Sequence, residues 1–192
     1  ASLLPHKELG FQEGSDTVLV DGQSSAGTAN RAKILSQQSG VRATAVLAED
    51  FMKMNANTEG REFVKQHDLI YIYHNRIDKV GDDKASEEKV FEAVEEEFDF
   101  LINLLKKIAN MNGNNMMITS DHGFIYQHQT LEESDFSESQ HRGEVWKENR
   151  RFVIGKMLVN DAATLKYGAA ELGITSDADV LIPRSINRLR VK

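Results

Sequence analysis

The sequence predicts an α/β fold in which a mainly parallel sheet carries helices on both faces. Short apolar runs alternate along the chain with segments of helical pattern, the order that builds such a sheet. The run "HDLIYIYHN" (67–75) is continuously apolar through Tyr73, as a strand buried on both faces requires. Two polar clusters fall at the ends of apolar runs, and in open α/β sheets the carboxyl ends of the strands are where ligands gather.

The first element is "TVLVDG" (17–22), a β-branched run closed by Asp-Gly, followed by "QSSAGTANRAKIL", a polar turn leading into a helix. "RATAVLAED" (42–50) and 67–75 are the next two strands, and the polar stretch between them, "MKMNANTEGREFVKQ", suggests a loop with a single helical turn. The strongest helix signal is "SEEKVFEAVEEEFDFLINLLKKIANM" (86–111). Its Phe91, Val94, Phe98, Leu101, Leu105 and Ile108 recur at spacings of three and four, predicting one buried stripe with the run Glu95 to Glu97 in water. Acidic residues crowd its first half and Lys106 and Lys107 its end, as the helix dipole favours. "MNGNN" breaks it, and "NMMITSDHGFIYQ" (115–127) is expected as a further strand. Residues 130–149 show little periodicity and are expected to form a long excursion. "RRFVIGKMLV" then reads as a strand, "DAATLKYGAAELG" as a short helix and "DADVLIP" as a strand stopped by Pro183.

At 192 residues the chain suits one domain spanning 1–192 with a substantial core. A hydrophobic content of 40%, 28% charged residues and a net charge of -7 describe a mildly acidic protein without the basic footprint of a sequence-wide phosphate binder. The chain holds no cysteine, which excludes disulfides, a thiol nucleophile and Cys-ligated zinc. A metal would therefore rest on Asp, Glu and His, and hard or borderline divalent ions are the candidates. No apolar run approaches the roughly 20 residues that cross a bilayer, and a cytoplasmic protein is expected. The first residue is Ala and the chain stops on "NRLRVK", which suggests a piece of a longer protein.

The first polar cluster is Asp121-His122-Gly123; the second is "YHNRIDKVGDD", holding His74, Asp78, Asp82 and Asp83. A carboxylate and an imidazole can share a zinc-type ion at about 2.0 to 2.2 Å if the backbone turns sharply, and Gly123 would permit that turn. Each cluster also has a plainer reading: Asp-His-Gly as a turn, Asp78 and Asp82 as a solvated helix face, and His74 as a hydrogen-bonded core residue. Parallel strand order favours the ligand reading, because it brings both clusters to one edge. "DGQSSAGTANR" lacks GxxxxGK[ST] and GxGxxG, so nucleotide binding is disfavoured; Ser24, Ser25 and Thr28 suit a helix cap instead. The basic tail "RSINRLRVK" suits a solvated surface.

The strings "TVLVDGQSSAGTANRAKIL", "LIYIYHNRIDKVGD", "MMITSDHGFIYQ" and "VLIPRSINRLRV", in that order, resemble the PglZ family, a branch of the alkaline phosphatase superfamily found in the bacterial phage-defence systems called BREX. The resemblance covers essentially the whole chain. It implies a three-layer α/β/α sandwich with two divalent metals, often zinc with manganese or magnesium as alternatives, and a Ser or Thr nucleophile that attacks phosphorus. On the superfamily's motifs, "SDHG" supplies the metal ligands Asp121 and His122, and "DKVGD" supplies Asp78 together with Asp82, which stands where His is expected. The family's nucleophilic Thr and an earlier metal-binding Asp lie ahead of the segment resembling "LLPHKEL", and a final His ligand beyond "INRLRV". Ser2 falls past the nucleophile's position, so no catalytic residue is assigned. The resemblance thus implies a metal-dependent phosphatase or phosphodiesterase truncated at both ends and inactive alone, with phosphate esters or nucleic acid as substrates and other BREX proteins as partners. The alternative is a non-catalytic scaffold of the defence complex that keeps the fold and a partial metal site.

Overall fold

Asp21 and Gly22 both take positive φ, 47° and 77°, and the chain doubles back there. A two-residue loop of that shape matches the right-handed twist of the strands it joins, so Asp-Gly makes a hairpin rather than a path into a helix. A computed structural model describes residues 1–82, 90–123, 132–138 and 141–190 of the chain. The hairpin joins β2 (Val18–Val20) to β3 (Gln23–Ser24), and β1 (Leu9–Phe11) pairs antiparallel with β2 on its other side. Asp21 also closes the sheet from outside: its Oδ1 accepts the backbone N–H of Lys7 and of Glu8, each at 2.9 Å. Those two N–H donors hold the Asp21 carboxyl below its usual pKa.

The chain divides into two compact units. The first, 1–26 with 130–192, is built on an antiparallel sheet of order β7-β8-β10-β9, formed by β7 (Arg142–Glu148), β8 (Val153–Val159), β9 (Thr164–Gly168) and β10 (Asp179–Pro183). Val153, Leu158, Leu181 and Leu189 form one buried cluster, and Ile154, Ala169, Ala178 and Val180 another against Phe11 and Trp146. The strands β6 (Phe136–Ser137) and β11 (Arg188–Leu189) add a short parallel pair. Gly155 lies where β7 crosses β8 most closely: a Cβ there would sit 2.0 Å from the Glu144 carbonyl oxygen, so only glycine fits. Lys156 bridges Glu13 at 2.7 Å and Asp177 at 3.0 Å, and both carboxylates hold its ammonium pKa above the usual value.

Two expectations fail in this unit. The helix expected over "DAATLKYGAAELG" is the strand β9 followed by one 3-10 turn, Ala169–Leu172. The alternation Thr-Leu-Lys-Tyr favours a strand, and Asp161 sets it up by taking the Ala163 N–H at 2.9 Å. The excursion expected over 130–149 contains the edge strand β7; Thr130, Leu131, Ser139 and Gln140 lie outside the described residues.

The second unit, 27–129, contains α1 (Gly27–Gln38), β4 (Ala43–Leu47), α2 (Ala48–Lys53), α3 (Glu59–Gln66), β5 (Leu69–Tyr73), α4 (Arg76–Asp82) and α5 (Val90–Asn110). Strands β4 and β5 pair in parallel, from Ala43 opposite Leu69 to Leu47 opposite Tyr73. Their starts are locked by Arg42 and Asp68: the guanidinium grips the carboxylate at 2.7 and 3.0 Å, and the Asp68 N–H returns to the Arg42 carbonyl at 2.7 Å. The core joins Phe51, Leu104 and Met111, with Val46, Phe63, Ile72 and Phe100 packed around them.

The mixed α/β class therefore stands with parallel pieces, while the largest sheet among the described residues is antiparallel. The stretch between β4 and β5 is two helices rather than a loop. Residues 113–120 form no strand: Met117 is 88% and Ile118 60% exposed, and 124–127 lie outside the described residues. A strand needs a ladder partner as well as an apolar sequence, and none of the described strands pairs with this run. The stripe on α5 is also phased differently. Val90, Ala93, Glu97 and Leu104 are buried, whereas Phe98 and Leu105 stand 59% and 44% exposed. Apolar residues occur on most of this helix's circumference, so spacing alone does not select the inward face.

Thermal unfolding should separate the two phenylalanines. Phe51→Ala is expected to cost about 3–5 kcal/mol, the range for a fully buried ring, and Phe98→Ala within about 0.5 kcal/mol; equal losses would overturn the α5 phase. A second expectation concerns acid. The Arg42 guanidinium holds the Asp68 carboxyl below its ordinary value of 3.8. A depressed folded-state pKa gives stability that is present above the unfolded value and lost as pH falls through the folded one. Urea unfolding across pH 2 to 5 should therefore lose stability less steeply in Asp68→Asn than in wild type.

Candidate metal centre

Parallel pairing carries β4 and β5 to a common carboxyl end, and the residues after Tyr73 lie there. His74 and Asn75 link β5 to α4, whose first turn is opened by the Lys79 N–H donating to the Asn75 carbonyl at 2.9 Å. Asp78 sits in that first turn. Asp121 and His122 approach from the far end of the same unit, beyond α5. The His122 Nε2 stands 3.8 Å from Asp78 Oδ1 and 3.8 Å from Asp121 Oδ1.

The structure thus brings together three of the four residues expected as ligands. Asp82, the fourth, is the last residue of α4, and Asp83 lies outside the described residues. The position of Asp121 and His122 differs from expectation in one respect: they follow a largely exposed irregular run rather than a strand. Their turn does not require glycine either. A Cβ at Gly123 would meet open space at an ordinary φ; the Ser120 hydroxyl instead donates to the His122 carbonyl and tightens the turn.

The His122 Nδ1 lies 2.9 Å from the Gly123 carbonyl oxygen, an atom that can only accept. In the neutral imidazole this puts the proton on Nδ1 and the lone pair on Nε2, the atom that faces the two carboxylates, which is the tautomer a metal ligand needs. Two carboxylates and an imidazole are a suitable donor set for zinc or manganese. Their spacing is open, however. Ligands at about 2.0 to 2.1 Å from a tetrahedral ion lie about 3.3 Å from one another, and the 3.8 Å separations are wider. Among the described residues no group of three or more acidic or imidazole side chains is closed tightly enough to hold an ion. The His122, Asp121 and Asp78 side chains are 63%, 59% and 48% exposed, so all three donors are open to solvent.

Two neighbouring arrangements were not legible in the sequence. Arg31 of α1 places its guanidinium 4.7 Å from the centre of the Tyr73 ring. Burial pushes the Tyr73 phenol up; the Asp121 charge adds to that shift, and Arg31 opposes it. The other is His74, whose Nε2 lies 2.7 Å from Glu97 Oε2 and whose ring stacks on Phe100 at 4.4 Å between centroids. Glu97 was expected in water within the run Glu95 to Glu97, yet it is 6% exposed. Only the true phase of α5, with Glu97 in line with Val90, Ala93 and Leu104, would have marked it. Glu96 does face water, where it pairs with Arg76.

Residues 1–192 match the family model described as the BREX system PglZ alkaline phosphatase-like domain. The chain is 35% identical over 192 residues to the alkaline phosphatase-like protein BrxZ of Escherichia coli O9:H4 (strain HS), a match covering 98% of this chain and 22% of that protein. It is likewise 35% identical over 194 residues to the alkaline phosphatase-like protein PglZ of Bacillus cereus (strain H3081.97), covering 100% of this chain and 22% of that protein. The chain therefore spans less than a quarter of the length of these relatives.

Titration of carbon-13-labelled tyrosine by NMR tests the geometry around Tyr73. Arg31→Met should raise the Tyr73 pKa further and Asp121→Asn should lower it toward the ordinary tyrosine value. A Tyr73 that ignores both changes would place Arg31 and Asp121 out of its reach.

Proposed function

The chain belongs to the PglZ family, and on that premise we propose that it carries the divalent-metal site of a phosphoric-ester hydrolase in a BREX phage-defence system. The observation that carries this reading is the meeting of Asp78, Asp121 and His122 around one imidazole nitrogen. These residues are the proposed ligands, with Asp82 as a further one on the family's pattern. Zinc is the proposed ion, manganese or magnesium the alternative. Such an ion, when bound, polarises a phosphoryl oxygen and lowers the pKa of an attacking hydroxyl.

The chain's own part is to place these donors. Residues Asp121 and His122 arrive on one turn, Asp78 on the first turn of α4, and the Gly123 carbonyl fixes the imidazole tautomer. The nucleophilic Thr and the remaining ligands are proposed to come from the longer protein of which these residues are a part, and the complete domain to be a three-layer α/β/α sandwich. Phosphate esters or nucleic acid are the proposed substrates, other BREX proteins the partners, and the cytoplasm the location. No described helix is long and apolar enough to cross a membrane. One observation favours the alternative of a non-catalytic scaffold: the open 3.8 Å spacing of the donors.

Calorimetric titration with zinc and manganese, beside hydrolysis of a chromogenic phosphodiester, decides between them. The 192-residue chain alone should bind metal weakly and turn over nothing, because a catalytic unit lacking its nucleophile fails as a whole. In the full-length protein, Asp121→Ala should lower turnover by about 100-fold or more. Full-length protein without metal-dependent turnover would establish the scaffold. Turnover by the 192-residue chain, abolished by Asp121→Ala, would locate a nucleophile inside it.

A further inference from the structure

Glu97 is out of character for its position. It lies on the buried face of α5 with Val90, Ala93 and Leu104, is 6% exposed, and could be replaced there by a leucine that needs no partner. Removing a carboxylate from water is costly, and replacing a buried ion pair by well-packed apolar residues is commonly neutral or stabilising. A buried carboxylate with one short contact therefore calls for an account beyond stability.

That contact is directional. Glu97 Oε2 accepts from His74 Nε2 at 2.7 Å, which fixes the rotation of the imidazole in its own plane. Phe100, also on α5, fixes the plane itself, with the rings 9° from parallel. Together they leave His74 one orientation. His74 is the first residue after β5, and α4 begins two residues later with Arg76, itself paired with Glu96 of α5. The backbone path from β5 into α4 is thus held to α5 from a buried side and an exposed side. Asp78 lies two residues beyond Arg76, in the first turn of α4.

We infer that the His74–Glu97 pair positions Asp78 against His122, acting through the β5–α4 junction rather than by touching an ion. The inference rests on the metal reading above, and it assigns the pair a role apart from the ligands. It also explains why the ligand carboxylate can be half-exposed and still placed: its location is set by His74, four residues earlier, and its buried partner Glu97, not by contacts of its own.

The test uses the full-length protein with two variants. Glu97→Gln keeps the side chain's size and an acceptor for the His74 N–H; His74→Phe with Glu97→Leu keeps the stack on Phe100 and removes both polar groups. Three quantities are read: zinc affinity by calorimetry, hydrogen exchange of the amides of residues 75–80 in metal-free protein, and the thermal midpoint. The double variant should unfold at or above the wild-type temperature, yet bind zinc about 10-fold or more weakly, as loss of an outer-shell support does, and exchange faster at 75–80 alone. Glu97→Gln should lie between, and decides the matter if the double variant does not fold. Wild-type affinity and exchange in the double variant would overturn the inference, and so would faster exchange across the whole unit. Should Asp121→Ala leave zinc affinity untouched, the metal reading fails, and the pair is then judged by exchange at 75–80.

Discussion

The grip of Asp68 on Arg42 is the constraint from which the candidate site follows. Parallel strands have no hairpin to set their register, so something at one end must. Here a planar guanidinium meets a carboxylate in two hydrogen bonds, and the backbone of each residue adds another between the same pair. With Ala43 and Leu69 aligned by that fork, the rest of β4 and β5 runs in step to Leu47 and Tyr73. Three groups at the site depart from that far end, Tyr73 against Arg31, His74 onto α5, and Asp78 on the following helix, while Asp121 and His122 come to it from beyond α5. A register slip of one residue would turn Tyr73 to the opposite face and carry the junction with it.

The site built on this frame divides its labour by depth. Its outer members, Asp78, Asp121 and His122, are open to solvent, where ion pairs alone hold little. Its inner members, Glu97 and Phe100, lie on a long helix whose far half enters the core through Leu104 and Ile108. Exposed polar groups on a rigid base suit a site that must admit a ligand, since the contacting groups need access and their bearings do not. Family membership and the 35% identity to BrxZ and PglZ proteins set this within alkaline phosphatase-like domains. The proposed ligands rest on a separate observation, the approach of Asp78 and Asp121 to the His122 imidazole.

Some of this was legible in the residues and some was not, for physical reasons. The parallel strands 43–47 and 69–73 announced themselves through continuous apolar runs, and the clusters at Asp78 and at Asp121-His122 through polarity at the ends of such runs. The hairpin at Asp21-Gly22 is masked in the sequence by the helix downstream, α1, which makes the intervening residues read as strand, loop and helix, although Asp-Gly is itself a hairpin signal. The segment of β9 reads as a helix in the sequence because Ala and Leu around it favour helix, while pairing with β10 makes it a strand. On α5 the apolar residues are too many: Phe98 and Leu105 satisfy the same spacing as the buried set. A charge such as Glu97 then looks solvated until its partner, 23 residues earlier in the chain, is in view.

The turn at Asp21-Gly22 has a consequence for the ageing of the protein. In a flexible chain an Asp-Gly pair is the dipeptide most prone to isomerise, because the glycine nitrogen, unhindered by a side chain, attacks the neighbouring carboxyl group and closes a succinimide ring. That attack needs the carboxyl protonated and free to swing onto the backbone. In this fold Asp21 is neither: the N–H groups of Lys7 and Glu8 hold its Oδ1 in place, and the same contacts favour the ionised form. The three-stranded sheet thus shields its own weakest covalent link, and isoaspartate at residue 21 would mark molecules whose first strands had come apart.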